Sequence, residues 1–164
     1  MKTLDTKQTQ FDSTLLITRV VLGGVMFAHG AQKLLGIFGG YGFDGTMGFL
    51  TGTMHLPAAL AFLVIIAEFF GSVGLITGTL TRLSAAGIIA VMIGAVVTTH
   101  LPNGFFMNWA GSQKGEGFEY HLLVGALALP AVLFGAGAFS IDALVAKKLR
   151  APKIARIGRT ATQA

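Results

Sequence analysis

Residues 57–78 read PAALAFLVIIAEFFGSVGLITG, and within this run Glu68 is the one ionisable side chain. At about 1.5 Å of rise per residue, a helix of this length covers the ~30 Å hydrocarbon core of a bilayer. Backbone amides cannot go unpaired in lipid, so the run is expected as a helix and not as an open strand. Working outward, three more apolar runs appear at 14–38, 83–99 and 120–139. The run at 83–99 is the shortest and can extend to Leu101 before Pro102 stops it. Four spans therefore describe an all-α integral membrane bundle.

Composition agrees. The chain has 164 residues, 53% of them hydrophobic and 12% charged, whereas a soluble domain carries about 25% charged residues. Too few charges remain to clothe a water-exposed surface. There is no cysteine, which excludes disulfides, thiolate nucleophiles and cysteine-ligated clusters. The 23 glycines fit helices that approach one another closely in lipid. The expected organisation is an N-terminal segment at 1–13, a membrane domain at 14–142 and a basic tail at 143–164.

Orientation follows from the cations. Lys2, Lys7, Arg82 and the tail residues Lys147, Lys148, Arg150, Lys153, Arg156 and Arg159 fall on one side of the four runs, and mainly Lys114 on the other, with Lys33 near that edge. The positive-inside rule predicts both termini in the cytoplasm and the two longer connections, 39–56 and 102–119, outside. The basic tail is expected to meet anionic headgroups and not nucleic acid.

Ionisable groups inside hydrocarbon carry the functional expectation, because each costs about 2.5–3.5 kcal/mol at a helix centre unless paired or hydrated. Arg19, His29 and Lys33 lie in the first run, Glu68 in the second, His100 at the end of the third, and Glu119 and His121 at the start of the fourth. His29 and Lys33 are four apart and share a helix face. Counting residues from the outer ends brings His29 and Glu68 to similar depth, so Glu68 is expected to meet His29, with Arg19 reaching toward it. An unpaired carboxylate at that depth would take up a proton. A plainer role stays open for the others: Arg19 and Lys33 as snorkelling side chains, and His100, Glu119 and His121 as wet loop residues. No metal site is expected, since the spacing of these histidines and acids matches no metal-ligand motif.

Arg19, His29-Gly30-x-x-Lys33, Glu68, Gly78-x-x-x-Arg82 and Ser140-x-Asp142 follow in the order found in the DoxX family, small four-helix bacterial membrane proteins that this sequence resembles over about 15–142. The resemblance implies a multi-pass protein of the bacterial inner membrane. It also implies a quinol oxidase or quinone-linked oxidoreductase subunit, related to the membrane component of a thiosulfate:quinone oxidoreductase. A soluble redox partner is part of that expectation. By position, Arg19, His29, Lys33, Glu68, Arg82 and His100 match the family's polar elements, without a firm catalytic role for any of them.

Two readings stand side by side. In the first the chain is a redox subunit whose cofactor is a quinone. Glu68 and His29 are then the catalytic pair, and Arg19, Lys33 and His100 help to hold the ring and the carboxylate. Electrons come from a partner or a diffusible donor. In the second the same groups lock a non-enzymatic scaffold or line the path of a small-molecule or proton transporter. A homo-oligomer is compatible with either.

Overall fold

The computed structural model describes residues 2–150, with backbone alone at 2–4. Residues 151–164, with the expected tail cations Lys153, Arg156 and Arg159, lie outside the described residues. Every regular element is helical: α1 (Lys2–Leu35), α2 (Gly42–Gly48), α3 (Ala58–Thr77), α4 (Thr81–Ala95), α5 (Glu119–Phe134) and α6 (Ile141–Arg150). Among the described residues α1, α3 and α4 with its extension to Asn103 are long and apolar enough to cross a membrane, and α5 is a shorter apolar helix. α1 packs on α3, α3 on α4, α4 on α5 and α5 back on α1, which closes a four-helix bundle.

The apolar runs mark the spans correctly but not their ends. α1 begins at Lys2, well before the apolar run, because the polar segment itself supports helix. Gln8 donates to Asp12 and the Thr9 hydroxyl to the Asp5 carbonyl, each one turn back or forward, and Asp5 sits in the first turn, where the helix dipole favours a negative charge. The other end stops at Leu35 and not at 38. Gly36 turns left-handed with φ of 71°, and Gln32 donates to the Phe38 carbonyl as the chain folds back. Likewise α5 ends at Phe134 where 139 was expected, because Gly135 takes φ of 79°. The glycine-rich connection after α1 is not open loop: it holds α2, continued by a wider turn at Phe49–Thr53.

The core at the bundle axis joins Leu22 and Met26 of α1, Leu75 of α3, Ile88 and Met92 of α4, and Val124 and Ala128 of α5. The outward faces carry exposed Ile17, Val21, Leu63, Phe70, Leu83, Ile93, Leu123 and Leu133. A belt of this kind would aggregate in water, and acyl chains cover it in a bilayer.

α1 and α3 touch through backbone. A Cβ added at Gly30 would lie 2.6 Å from the Phe69 Cα, and one at Gly23 would lie 2.9 Å from the Ser72 carbonyl oxygen, whereas one at Gly24 meets nothing within 4 Å. Gly30→Ala must push the two helices apart, at a cost of about 1–3 kcal/mol or more for overpacking. Gly24→Ala should be neutral or stabilising by up to about 1 kcal/mol, because alanine is the better helix former. Thermal unfolding of both variants in one detergent, followed by circular dichroism, checks the contrast.

At the end of the bundle carrying the termini, the α3–α4 turn passes through left-handed Gly78 and Leu80. Asp142, at the start of α6, closes it: its carboxylate accepts from the Leu80 and Thr81 amides at 2.8 and 2.9 Å, and its own amide donates to the Gly78 carbonyl. Burial pushes this carboxyl up, but the Thr81 and Leu80 amide donors and the nearby Arg19 guanidinium outweigh it and hold the group below the usual carboxylate range. A carboxyl that is more acidic when folded stabilises the fold above its unfolded value of about 3.9, and that stability is lost as pH falls below it. Asp142→Ala should therefore lower stability at neutral pH by about 0.5–2 kcal/mol, as for a lost helix cap. The variant should also show less of the melting-temperature drop between neutral pH and pH ~3.

Candidate functional site

At the end of the bundle away from the termini, a cavity of about 410 Å³ opens between α1, α3, α4 and α5. His29 and Lys33, one turn apart on α1, enter from one side. Glu68 of α3 faces them, His100 ends the wider helical turn Val96–His100 that continues α4, and Tyr120 and His121 come from the first turn of α5. Apolar walls include Met26, Leu50, Met54, Val64, Val91 and Met92, so the polar groups stand in a largely hydrocarbon lining. Such a volume, mostly apolar with a few convergent polar groups, suits a small organic ligand. A larger groove of about 510 Å³ between α3 and α4 has no ionisable side chain in its wall, so the convergent ionisable groups belong to the smaller cavity.

Glu68 is buried, and its partner is Lys33. The Lys33 Nζ donates to Oε1 at 2.9 Å and lies 2.8 Å from Oε2 as an ion-pair contact, without hydrogen-bond geometry to the second oxygen. The Lys33 side chain is 31% exposed and the Glu68 side chain 3%. The lysine thus runs along the apolar wall and brings its charge to the carboxylate. His29 was expected as the partner of Glu68. It shares the cavity, with its ring 5.9 Å from that of Tyr120, while the direct contact belongs to Lys33.

Arg19 is not brought to this cavity. Ten residues before His29, it lies about 15 Å away along α1. There its guanidinium donates to the Leu75 and Ile76 carbonyls at 2.8 Å each, to the Ala136 carbonyl at 3.2 Å, and to the Phe139 carbonyl. These oxygens end α3 and line the chain between α5 and α6, where helices leave carbonyls without intrahelical partners. Arg82 caps in the same way, donating to the Leu133 carbonyl near the end of α5.

His121 and Tyr120 were not expected as site residues, yet they complete the cavity. His121 is buried, and its Nδ1 has no hydrogen-bond partner among the described residues. Its ring lies 4.2 Å from that of His100 and 5.5 Å from that of Tyr120. The signal was in the topology: α4 ends and α5 begins at the same face of the bundle, so His100 and His121 must share a level. His100 Nδ1 lies 2.8 Å from the Glu116 carbonyl oxygen. A carbonyl only accepts, so Nδ1 carries the proton and Nε2 of the neutral ring keeps a lone pair.

The connection 104–118 is tied down over this end. Glu116 Oε2 accepts from the Asn108 amide, and Glu119 Oε1 accepts from the Met107 amide and the Trp109 indole N–H. Glu119 therefore organises the loop and does not line the cavity, while Met107 and Glu116 do. Among the described residues no group of three or more His, Asp or Glu side chains converges as a metal's donor set.

Comparison with known proteins places this architecture. Over 137 residues, 84% of this chain and 90% of the relative, the chain is 29% identical to a Bacillus subtilis (strain 168) protein named "Putative oxidoreductase CatD". No solved structure matches the chain. The DoxX family profile matches residues 14–101, a segment that includes His29, Lys33, Glu68 and His100 and stops before Tyr120 and His121. With more than half of its length under that profile, the chain belongs to the DoxX family.

Proposed function

We propose that the cavity binds a quinone ring, and that the chain is the membrane subunit of a quinone-linked oxidoreductase supplied with electrons by a soluble partner or a diffusible reductant. One observation carries this reading: a buried ion-paired carboxylate and three imidazoles line one apolar cavity of about 410 Å³. A quinone ring needs apolar walls, and its two carbonyl oxygens need hydrogen-bond donors. Reduction to the quinol takes up two electrons and two protons. The name of the Bacillus relative, an oxidoreductase, supports the same class.

The chain's own residues supply binding and protons. His121 Nδ1, buried and unpartnered, and His29 can each donate a hydrogen bond to a quinone carbonyl oxygen or accept one from a quinol hydroxyl, since a neutral imidazole has one donor and one acceptor nitrogen. Lys33 holds the Glu68 carboxylate at the cavity wall, where a carboxylate can accept or relay a proton. His100 connects His121 to the solvent-facing loop through Glu116. The chain has no cysteine, and the electrons come from the donor. By the positive-inside rule, Lys7, Arg82, Lys147, Lys148 and Arg150 at the opposite end support a reading with that end in the cytoplasm of a bacterial inner membrane and the cavity toward the outer leaflet.

The test uses Glu68→Gln in nanodiscs containing a menaquinone. The protein is offered in turn a thiol, a sulfur oxyanion and a dihydronicotinamide, and quinol formation is read by absorbance. The wild-type protein should turn over with one of these, and Glu68→Gln should stay folded and lose at least tenfold in rate, at the lower edge of what general acid–base groups contribute, about 10²–10⁴-fold. The Lys33–Glu68 pair also ties α1 to α3, which is what a packing role would rest on. A variant that unfolds, in a protein with no turnover from any donor, assigns the pair to that role and rejects the redox reading.

A further inference from the structure

α6 leaves the bundle with an apolar face that nothing among the described residues covers. Ile141, Leu144, Val145 and Leu149 are all exposed, Leu149 at 81%. At 100° per residue they occupy an arc of about 140°. Lys148 falls inside this arc, Lys147 flanks it, and Arg150 lies opposite. No acidic residue follows Asp142 in the sequence.

The helix does not swing freely. Its first turn is stapled to the α3–α4 turn by the Asp142 carboxylate on the Leu80 and Thr81 amides and by the Asp142 amide on the Gly78 carbonyl. The preceding residues are gripped by Arg19 at Phe139 and Ala136. α6 therefore starts from the end of the bundle where α5 has just left the hydrocarbon, with Ile141 seven residues beyond Phe134. A short, strongly amphipathic helix held at that level, with Lys147 at the edge of its apolar face and Lys148 within it, has the form of an interfacial helix.

We infer that α6 lies in the plane of the membrane surface and docks on anionic phospholipid, burying Leu144, Val145 and Leu149 among the acyl chains while Lys147 and Lys148 reach lipid phosphates. The stem of Lys148 can lie along the apolar face while its ammonium rises to the headgroups. The occupant is a lipid surface and not a soluble acidic partner, because the staple at Asp142 keeps the apolar face where the bilayer begins. Each basic residue near an anionic surface shifts such an equilibrium about fivefold, so the cations of α6 together shift it about a hundredfold at low salt.

The absence of cysteine makes the test direct. The full chain carrying Leu149→Cys, labelled with an environment-sensitive fluorophore, is placed in nanodiscs of phosphatidylcholine or phosphatidylglycerol, each with and without spin-labelled lipid. The proposal expects blue-shifted emission and strong quenching by the spin-labelled lipid in phosphatidylglycerol, weaker in phosphatidylcholine and weakened by salt. Lys147→Gln, Lys148→Gln and Arg150→Gln together should remove most of the difference. A label at Leu144→Cys guards against a local effect at the helix end, and unchanged helicity and melting confirm the fold. Emission of a water-exposed label in both lipids overturns the proposal. So does quenching indifferent to lipid charge, and so does a blue shift that follows the number of protein copies per disc, which would assign the face to a second copy.

Discussion

Arg19→Ala should leave a protein that no longer purifies as a monodisperse bundle, or that melts at least 10 °C lower, a shift of about 3–5 kcal/mol in a chain of this size. Arg19 is 2% exposed and donates to carbonyls of Leu75, Ile76, Ala136 and Phe139. Hydrogen bonds from a charged group contribute about 1.5–3 kcal/mol each, and these are not additive because one rigid guanidinium makes them all. Its loss strands the last carbonyls of α3 and releases the chain that leads to α6. Arg19→Lys should recover only part of the stability, since a single ammonium cannot face several carbonyls in the planar fork of a guanidinium. Because Arg19 is remote from the cavity, ligand binding by the folded fraction should be unchanged. Circular dichroism melting and size-exclusion profiles of the three proteins check this.

Lys33→Met should be more harmful than the double variant Lys33→Met/Glu68→Gln. The single change leaves a buried carboxylate, 3% exposed at its side chain, without its cation, and removing one partner of a buried pair costs about 3–5 kcal/mol. Neutralising Glu68 in the same chain removes the uncompensated charge. The coupling read from the thermodynamic cycle should be about 1–3 kcal/mol, as for residues in direct contact. Thermal unfolding of wild type, both single variants and the double variant in one detergent at neutral pH supplies the cycle. Additive changes would mean that the ion pair is a surface contact without energetic weight.

The spans were legible because hydrocarbon demands long apolar helices, and residues 57–78 could hardly be anything else. The meeting of α1 and α3 at one depth followed from counting along antiparallel helices, which brought Glu68 to the level of His29, with Lys33 one turn farther out. Which of these two would hold the carboxylate was not legible, because it depends on the reach of a lysine along the apolar wall. Arg19 could not be read as a clasp, since its partners are main-chain carbonyls at helix ends and carry no signature of residue type. His121 reads as the start of the fourth helix with either a wet or a functional role open, and only the hairpin of α4 and α5 sets it beside His100. The tail reads in sequence as a run of positive charge, because Lys147, Lys148 and Arg150 interleave with Leu144, Val145 and Leu149 and the apolar face emerges only on a helix. Gly36 and Gly135 end α1 and α5 by left-handed turns that a hydropathy run does not register.

The central claim is that the cavity around Glu68 receives a quinone ring. Trp109, the chain's one tryptophan, donates to Glu119 and stands two residues from Met107 of the cavity wall, so an occupant of the cavity is expected to change its fluorescence. A short-chain menaquinone titrated into the wild-type protein in nanodiscs should quench Trp109 saturably, with His121→Ala and Glu68→Gln each weakening the apparent affinity at least tenfold while remaining folded. Quenching that rises linearly with quinone and is identical in all three proteins would contradict the account.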